Sequence, residues 1–160
     1  MSLILSIETS SKNCSVSVSK NGILLDLIEE NNESFSHAEN LHIFCEKIIN
    51  RTNLSFEKID AYAFSEGPGS YTGLRIGAAA IKGFAFCFEK PVILISTLRS
   101  LAYAHKDKGT LLCPLVDSRR GEVYLALYDS NMKTLLSPQP HIISEKTLIK
   151  FLQKDKIAFF

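Results

Sequence analysis

The 160-residue sequence predicts an α/β protein with a mixed sheet and helices, in two lobes of which the second is incomplete. Three observations predict this class. Residues 3–28 read as three successive strands, helical and strand patterns then alternate, and a strand–turn–strand pattern restarts near residue 111. We expect the first lobe to span residues 1–105 and the second lobe to span residues 106–160.

Composition narrows the function classes. Hydrophobic residues make up 46% and charged residues 22%, which is typical of a folded globular protein. The net charge is +1, so no overall field draws the chain to nucleic acid or membrane. The apolar run at the start is too short for a signal peptide, and the four cysteines are spread among apolar neighbours, as in a reducing cytosol. We expect a cytoplasmic protein.

The first three elements are strands. The apolar run "LILSI" at 3–7 is typical of a buried strand, and "CSVSVSK" at 14–20 alternates apolar with polar residues. Asn21-Gly22 tolerates the positive φ of a tight hairpin turn, after which "ILLDLI" at 23–28 returns.

Helical spacing begins after the third strand. Ser36 followed by Glu39 forms a capping box, which predicts a helix from about His37 to residues 52–53. The run "AYAFSEG" at 61–67 predicts a fourth strand.

The next predicted helix, from Tyr71 to Phe88, is apolar on all sides, and Arg75 and Lys82 are its only charged residues. A helix that is apolar all round must be covered all round. Either it is an ordinary core helix, or its outer face docks on another subunit.

The remaining elements complete two strand-and-helix patterns. They are a strand at 91–96, a helix from Ser96 to about His105, two strands around the turn "SRRG" between 111 and 129, and a helix at 144–154 capped by Ser144. The polar "KDKG" at 106–109 marks the expected lobe boundary. The final "KIAFF" reads as an uncovered hydrophobic strand, so we expect the chain to be a fragment of a longer protein.

The glycine-rich stretch "GPGSYTGLRIG" at 67–77 is the main candidate site. A glycine turn between a strand and a helix is the arrangement in which backbone N–H groups and a helix N-terminus hold an anion. Its spacing matches neither the Walker motif nor the dinucleotide fingerprint. Arg75 lies in the first helical turn, where its charge opposes the helix dipole, so it either meets a carboxylate or phosphate or is simply solvated.

Two other polar stretches are weaker candidates. The "ETSS" loop after the first strand offers hydroxyl and N–H groups for a phosphate, and "DSRRGEVY" at 117–124 offers two arginines between two carboxylates, or only a solvated hairpin. The four histidines show no zinc-ligand spacing, and no G-x-S-x-G elbow occurs. We therefore expect no catalytic residue, no metal and no cofactor.

"ILSIETS", "SHAENL", "GPGSYTGLRIG" and "DSRRGEVY" occur in this order and resemble the TsaB (YeaZ) family, the bacterial partners of the transferase that makes threonylcarbamoyladenosine next to the tRNA anticodon. The resemblance covers essentially the whole chain. It implies an actin-like fold (sugar kinase/Hsp70/actin, ribonuclease H-like) whose second lobe continues past the end of this chain. The family-motif residues are Gly67, Pro68, Gly69, Thr72, Gly73, Arg75, Gly77, Asp117, Arg119 and Glu122.

The resemblance also implies a non-catalytic scaffold. The catalytic paralogue, TsaD, holds a metal through two histidines, and the matching positions here are about Thr97 and Leu101, which cannot bind iron or zinc. Related kinases position magnesium with an aspartate, where this sequence has the longer Glu8. The implied partners are a TsaD-like transferase, a TsaE-like ATPase and, in homodimers, a second copy, with tRNA contacted only indirectly.

The resemblance points to two sets of site residues. A partner interface on the first-lobe helices is expected to comprise Leu41, Cys45, Ile48, Leu74, Ile81 and Phe88. A vestigial nucleotide or phosphate site would comprise Glu8, Thr9, Ser10, Gly69 and Ser70. The alternative functions are a nucleotide-dependent enzyme or peptidase-like protein of the same superfamily acting alone, and a stand-alone homodimeric scaffold.

Overall fold

The computed structural model describes residues 2–31, 37–106, 111–142 and 157–160. The chain divides into two units, a first unit Met1–Ile95 and a second unit Ser96–Phe160. This division lies before the boundary expected at residues 105–106. The reason is that the helix Thr97–Ala104 packs its buried Leu98 and Ala102 into the core of the second unit.

The first unit is built on a five-stranded mixed sheet. Its strands are β1 (Leu3–Glu8), β2 (Asn13–Lys20), β3 (Ile23–Asn31), β4 (Ala61–Gly67) and β5 (Val92–Ser96). They lie in the order β3-β2-β1-β4-β5, with β1 antiparallel to β2 and parallel to β4. The five strands predicted along this part of the chain are therefore confirmed, with bounds that differ by a few residues.

The described residues include three helices. These are α1 (His37–Arg51), α2 (Tyr71–Phe88) and α3 (Thr97–Ala104). The first begins at the predicted residue, although the predicted cap Ser36 lies outside the described residues, and the second has the predicted bounds. A short 3-10 helix at Phe56–Lys58 was not predicted.

The core of the first unit lies between the sheet and the helices α1 and α2. The strand β2 turns Cys14, Val16 and Val18 inward, because its side chains alternate between faces. Aromatic rings also pack against this core. Phe84 of α2 stacks on Phe56 and on Tyr62, with centroid distances of 5.0 and 5.6 Å.

The second unit contains α3 and a second sheet. The strands of this sheet are β6 (Leu111–Cys113), β7 (Leu115–Arg119), β8 (Glu122–Tyr128), β9 (Thr134–Ile142) and β10 (Ile157–Phe159). Both β6 and β7 pair antiparallel with β8, and Pro114 separates them because proline has no N–H for the ladder. We therefore treat β6 and β7 as one interrupted strand. The predicted helix at 144–154 and its cap Ser144 lie outside the described residues.

The two sheets repeat one arrangement. With β6 and β7 taken as one strand, the order β9-β8-β6/β7-β10 matches the order β3-β2-β1-β4. The orientations match as well, since β10 runs parallel to β6 as β4 runs parallel to β1. The predicted α/β class with mixed sheets is confirmed, and so is the duplication that the sequence indicated at the level of whole elements.

Candidate functional site

The carboxylate of Glu8 fixes the start of the loop between β1 and β2 through two hydrogen bonds. One carboxylate oxygen accepts a hydrogen bond from the Ser10 N–H at 2.6 Å, and the other accepts one from the hydroxyl of Ser65 on β4. Thr9 and Ser10 are only 2% and 5% exposed. The first half of the hydroxyl-rich loop is therefore buried in the first unit, whereas Ser11 and Lys12 are exposed.

The glycine turn leads from β4 into α2. Gly67 has a φ of 112°, a conformation that glycine adopts without steric cost, and the following Gly67–Pro68 bond is cis. Ser70 caps the helix, because its hydroxyl accepts a hydrogen bond from the Gly73 N–H at 3.3 Å. The Ser70 N–H donates to the carbonyl oxygen of Ser10 at 2.6 Å, which ties the turn to the β1–β2 loop.

Three glycines allow α2 to lie directly on that loop; we call this the glycine contact. A Cβ atom at Gly69 would collide with the carbonyl oxygen of Ser10, and one at Gly73 with the carbonyl oxygen of Thr9. At Gly77 it would lie 2.5 Å from the Thr9 hydroxyl oxygen. The Thr9 hydroxyl donates to the Gly73 carbonyl at 2.8 Å. These glycines are needed because helix and loop approach too closely for any side chain.

The glycine contact engages three of the backbone donors that a phosphate site at this turn would use. The N–H groups of Ser10, Ser70 and Gly73 each donate to an oxygen of the protein itself. The structure thus brings together the residues expected to form a vestigial phosphate site, and it places them in an internal hydrogen-bonded contact. They are Glu8, Thr9, Ser10, Gly69 and Ser70.

Arg75 stacks on an aromatic ring. Its guanidinium carbon lies 5.2 Å from the centroid of the Tyr71 ring, and its Nη1 lies 3.4 Å from the Tyr71 hydroxyl oxygen. Both side chains and the neighbouring Thr72 are exposed. The Tyr71 ring is therefore the partner of the Arg75 guanidinium. The sequence had suggested a carboxylate or a phosphate in that role.

The expected partner interface requires correction at four residues. Leu41, Cys45, Ile48 and Ile81 are fully buried in the core of the first unit. Leu74 and Phe88 are half-buried. The physical reason is that α1 and α2 turn these regular apolar stripes onto the sheet, where they stabilise the fold, and so these four side chains are not available to a partner.

A different set of residues forms the outer face of α2. Tyr71 and Phe86 are 74% and 87% exposed, and exposed small residues lie between them. A Cβ atom at Gly83 would meet nothing within 4 Å. The spacing of these residues places them on one side of the helix. We call this surface the α2 outer face; it comprises Tyr71, Arg75, Ala79, Lys82, Gly83 and Phe86.

Sequence reasoning missed the α2 outer face. Because α2 is apolar on every side, periodicity could not separate its inner side from its outer side. A usable signal was the pair of glycines four residues apart, Gly73 and Gly77, since such a pair marks the side of a helix that approaches another backbone closely.

The second polar candidate is the hairpin between β7 and β8. Three successive residues have positive φ: Arg119 at 69°, Arg120 at 57° and Gly121 at 78°. The carboxylate of Asp117 accepts a hydrogen bond from the Arg119 N–H at 2.8 Å, and Arg119 lies opposite Glu122 in the ladder. The structure thus places both arginines and both carboxylates around one exposed turn.

Three of the four cysteines are buried. Burial raises the pKa of the Cys14 and Cys113 thiols to about 11 and that of the Cys45 thiol to about 12. Cys87, on α2, is exposed. The buried thiols therefore stay protonated at neutral pH and pack as small apolar side chains.

The described residues contain no group of three or more histidine, cysteine, aspartate or glutamate side chains that could hold a metal ion. Thr97 and Leu101, at the positions where the resemblance led us to look for metal ligands, lie on α3. Across the same described ranges, every helix is too short or too polar to cross a membrane.

Comparison with known proteins gives a consistent result. A family model described as "TsaD: tRNA N6-adenosine threonylcarbamoyltransferase" matches residues 31–157. The tRNA threonylcarbamoyladenosine biosynthesis protein TsaB of Escherichia coli (strain K12) is 34% identical over 132 residues, which cover 78% of this chain and 54% of the relative. A tRNA N6-adenosine threonylcarbamoyltransferase of Staphylococcus haemolyticus is 36% identical over 129 residues, covering 71% of this chain and 38% of the relative.

A solved structure supports the same assignment. YeaZ from Pseudomonas aeruginosa superposes with a TM-score of 0.78 at 28% identity, over 89% of this chain and 68% of that chain. The repeated sheets and this likeness define the class: an α/β protein of actin-like fold. Within that class, the chain belongs to the TsaB (YeaZ) family, and it spans about half the length of the Escherichia coli relative.

Proposed function

We propose that this chain is a non-catalytic scaffold subunit, which pairs in the cytoplasm with a TsaD-like transferase that transfers threonylcarbamoyl to the adenosine next to the tRNA anticodon. The α2 outer face carries this proposal. Tyr71 and Phe86 are large and strongly exposed, and an exposed helix of this kind is typical of a docking surface. The family relatives supply the chemistry, because their names place them in threonylcarbamoyladenosine biosynthesis.

The shape of the α2 outer face suits a helix as partner. Ala79 and Gly83 lie in its middle and leave room for a second helix to approach closely. Tyr71 and Phe86 lie at its two ends, where their rings can anchor the partner. The Tyr71 ring is already stacked against Arg75, which limits the conformational freedom that would be lost on binding.

The glycine contact favours a scaffold function over that of a nucleotide-dependent enzyme. The N–H groups of Ser10, Ser70 and Gly73 already donate to Glu8, Ser10 and Ser70, so a phosphate that used these three donors would have to displace internal hydrogen bonds. The same contact fixes α2 against β1 and holds the outer face in one orientation. In this proposal a TsaE-like ATPase joins the pair, and a second copy of the chain competes for the α2 outer face.

The proposal is tested by measuring complex formation. The chain and the cognate transferase are mixed, and the mass of the complex is determined by light scattering behind size-exclusion chromatography. We expect a one-to-one complex with the wild type. Phe86→Glu and Ala79→Glu are each expected to weaken pairing by roughly 30-fold, as at an interface hot spot.

The matched control is Tyr103→Glu. Tyr103 lies on α3 and is 68% exposed, so the variant adds the same charge at an exposed aromatic position outside the α2 outer face. It is expected to pair like the wild type. Full pairing by Phe86→Glu and Ala79→Glu would exclude this face as the docking surface, and a homodimer that ignores the transferase would favour the stand-alone scaffold.

A further inference from the structure

We propose that the tip of the β7–β8 hairpin binds phosphodiester groups of RNA through Arg119 and Arg120. This inference rests on the proposed function, since the tRNA substrate of the complex is then the RNA at hand. The sequence analysis expected this chain to reach tRNA only through its partner. The inference differs from that expectation, because it places one direct contact on this chain.

The backbone of the tip is unusual for the residues it carries. Arg119 and Arg120 have φ values of 69° and 57°, and Gly121 follows at 78°. Positive φ is uncommon for residues other than glycine, asparagine and aspartate, because the Cβ atom crowds the neighbouring carbonyl. Two successive arginines in this region are therefore held there against their conformational preference.

The same chain builds an equivalent turn with ordinary residues. Asn21 and Gly22, between β2 and β3, have φ values of 52° and 79°, nearly those of Arg120 and Gly121. Asparagine-glycine is the sequence that such a turn favours. The β7–β8 turn has the same backbone but carries arginine at the first position, so turn formation alone does not account for that residue.

The two guanidinium groups are available to a ligand. Both arginines are exposed, and neither makes an ion pair or a side-chain hydrogen bond among the described residues. Two carboxylates share the hairpin. That of Asp117 is engaged by the Arg119 N–H at 2.8 Å, and Glu122 lies across the ladder from Arg119.

The chemistry of the tip favours phosphate over a protein surface. Residues 117–122 include no apolar side chain, whereas protein interfaces depend on buried apolar or aromatic anchors. A guanidinium presents a planar pair of donors that matches two oxygens of a phosphate. Phosphodiester binding needs charge and hydrogen bonds alone, and both arginines supply these. The net charge of +1 supplies no strong overall attraction to RNA, so the contact depends on these local charges.

The test measures how tRNA binding depends on salt. The probe is an unmodified tRNA transcript with adenosine next to the anticodon. It is titrated with the complex of this chain and the transferase, and separately with this chain alone, in 50 to 200 mM potassium chloride. The variant Arg119→Asn/Arg120→Asn removes both charges with a residue that tolerates positive φ.

We expect the double variant to bind the tRNA more weakly and with less salt dependence. Each lost phosphate contact lowers the slope of log Kd against log salt by about one, so the slope should fall by about two. Over this salt range the wild type then loses about tenfold more affinity than the variant. Arg119→Lys/Arg120→Lys, which keeps both charges, is expected to retain most of the slope.

The matched control is Lys20→Asn/Lys58→Asn, which removes two exposed charges elsewhere. A slope and Kd in the arginine variant equal to those of this control would overturn the inference. So would a loss of transferase pairing without tRNA, because the tip would then bind protein. Light scattering reports pairing independently: a wild type that fails to pair but still shows the slope difference counts against the proposed function alone. Should the asparagine variant melt early, Arg120→Asn alone decides the question, since the loss of one phosphate contact should lower the slope by about one.

Discussion

The two units share one strand arrangement but use the end of the first strand differently. In the first unit, the loop after β1 begins with Thr9 and Ser10, which are buried beneath the glycine contact, and there the Thr9 hydroxyl and the Ser10 N–H bond to the protein itself. In the second unit, the hairpin after β7 is exposed, and a Cβ atom at Gly121 would meet nothing within 4 Å. The same topological position can therefore fix a helix or remain open to a ligand.

This difference follows from a few residues. The first loop offers Thr9 and Ser10, whose short side chains and carbonyl oxygens fit under a helix that has glycine at the contact positions. The second loop offers Arg119 and Arg120, which are too long and too strongly hydrated to be buried without a partner. The side chains at the strand end, rather than the strand order, decide what each unit does there.

The largest expected effect comes from breaking the contact in the first unit. Gly73→Ala places a Cβ atom on the Thr9 carbonyl oxygen, so helix and loop must separate. We expect the free energy of unfolding to fall by at least about 3 kcal/mol, the upper range for overpacking a buried contact. Urea unfolding followed by circular dichroism measures the change.

Gly83→Ala is the control for that experiment, since the same substitution in the same helix meets open space. It is expected to raise the free energy of unfolding by about 0.5–1 kcal/mol, because alanine is the better helix former. If Gly73→Ala were as stable as Gly83→Ala, the first loop would not be fixed by α2, and the contrast between the units would disappear.

A smaller effect is expected from alkaline pH, and it should be larger in the first unit. Unfolded thiols ionise near the ordinary pKa of 9.0, whereas the folded thiols of Cys14 and Cys45 have pKa values of about 11 and about 12. The stabilisation is complete below pH 9 and is lost as pH rises from 9 towards 11 for Cys14 and towards 12 for Cys45, because the unfolded state then holds fewer protons. The slope is at most about 1.4 kcal/mol per pH unit for each thiol.

This slope is measured by urea unfolding at pH 8, 9.5 and 11. The double variant Cys14→Ala/Cys45→Ala should flatten the pH dependence more than Cys113→Ala, since the first unit has two buried thiols with a raised pKa and the second unit has one. Cys87→Ala, at the exposed cysteine, is the control for the substitution itself. An equal slope in all three variants would show that the buried thiols do not govern alkaline stability.

The smallest expected effect concerns the open hairpin of the second unit. Arg120→Asn relieves the crowding of a positive φ, so the free energy of unfolding should rise by less than about 1 kcal/mol. Thermal unfolding by calorimetry detects a gain of this size. A loss of stability would mean that the arginine side chain is held by the fold itself, and the hairpin would then resemble the first loop.

Much of the fold could be predicted from the sequence. The alternation in β2, the Asn21-Gly22 turn and the bounds of α2 follow from side-chain period and turn chemistry, both of which are local. The division at Ile95–Ser96 could not be predicted, because it depends on which core receives Leu98 and Ala102. The polar "KDKG" segment gave no information about that choice.

The candidate site was predicted in its members but not in its geometry. Sequence placed Glu8, Thr9, Ser10 and Gly69 in one site, and the structure does bring them together. Whether the N–H groups of these residues bond to the protein or face solvent depends on the separation of two backbones. A change of a few tenths of an ångström in that separation would decide it. Composition also could not orient α2, so Ile81, expected to meet a partner, lies in the core.

The glycine contact has a consequence for genetics. Any missense change at Gly69, Gly73 or Gly77 adds a side chain where none fits, so a mutational scan should show these positions to be as intolerant as the hydrophobic core. They bury no side chain of their own, and a selection that scores only lost side-chain contacts would overlook them. Alanine at Gly77, where the obstructing atom is a hydroxyl oxygen, is the natural starting point for a temperature-sensitive allele.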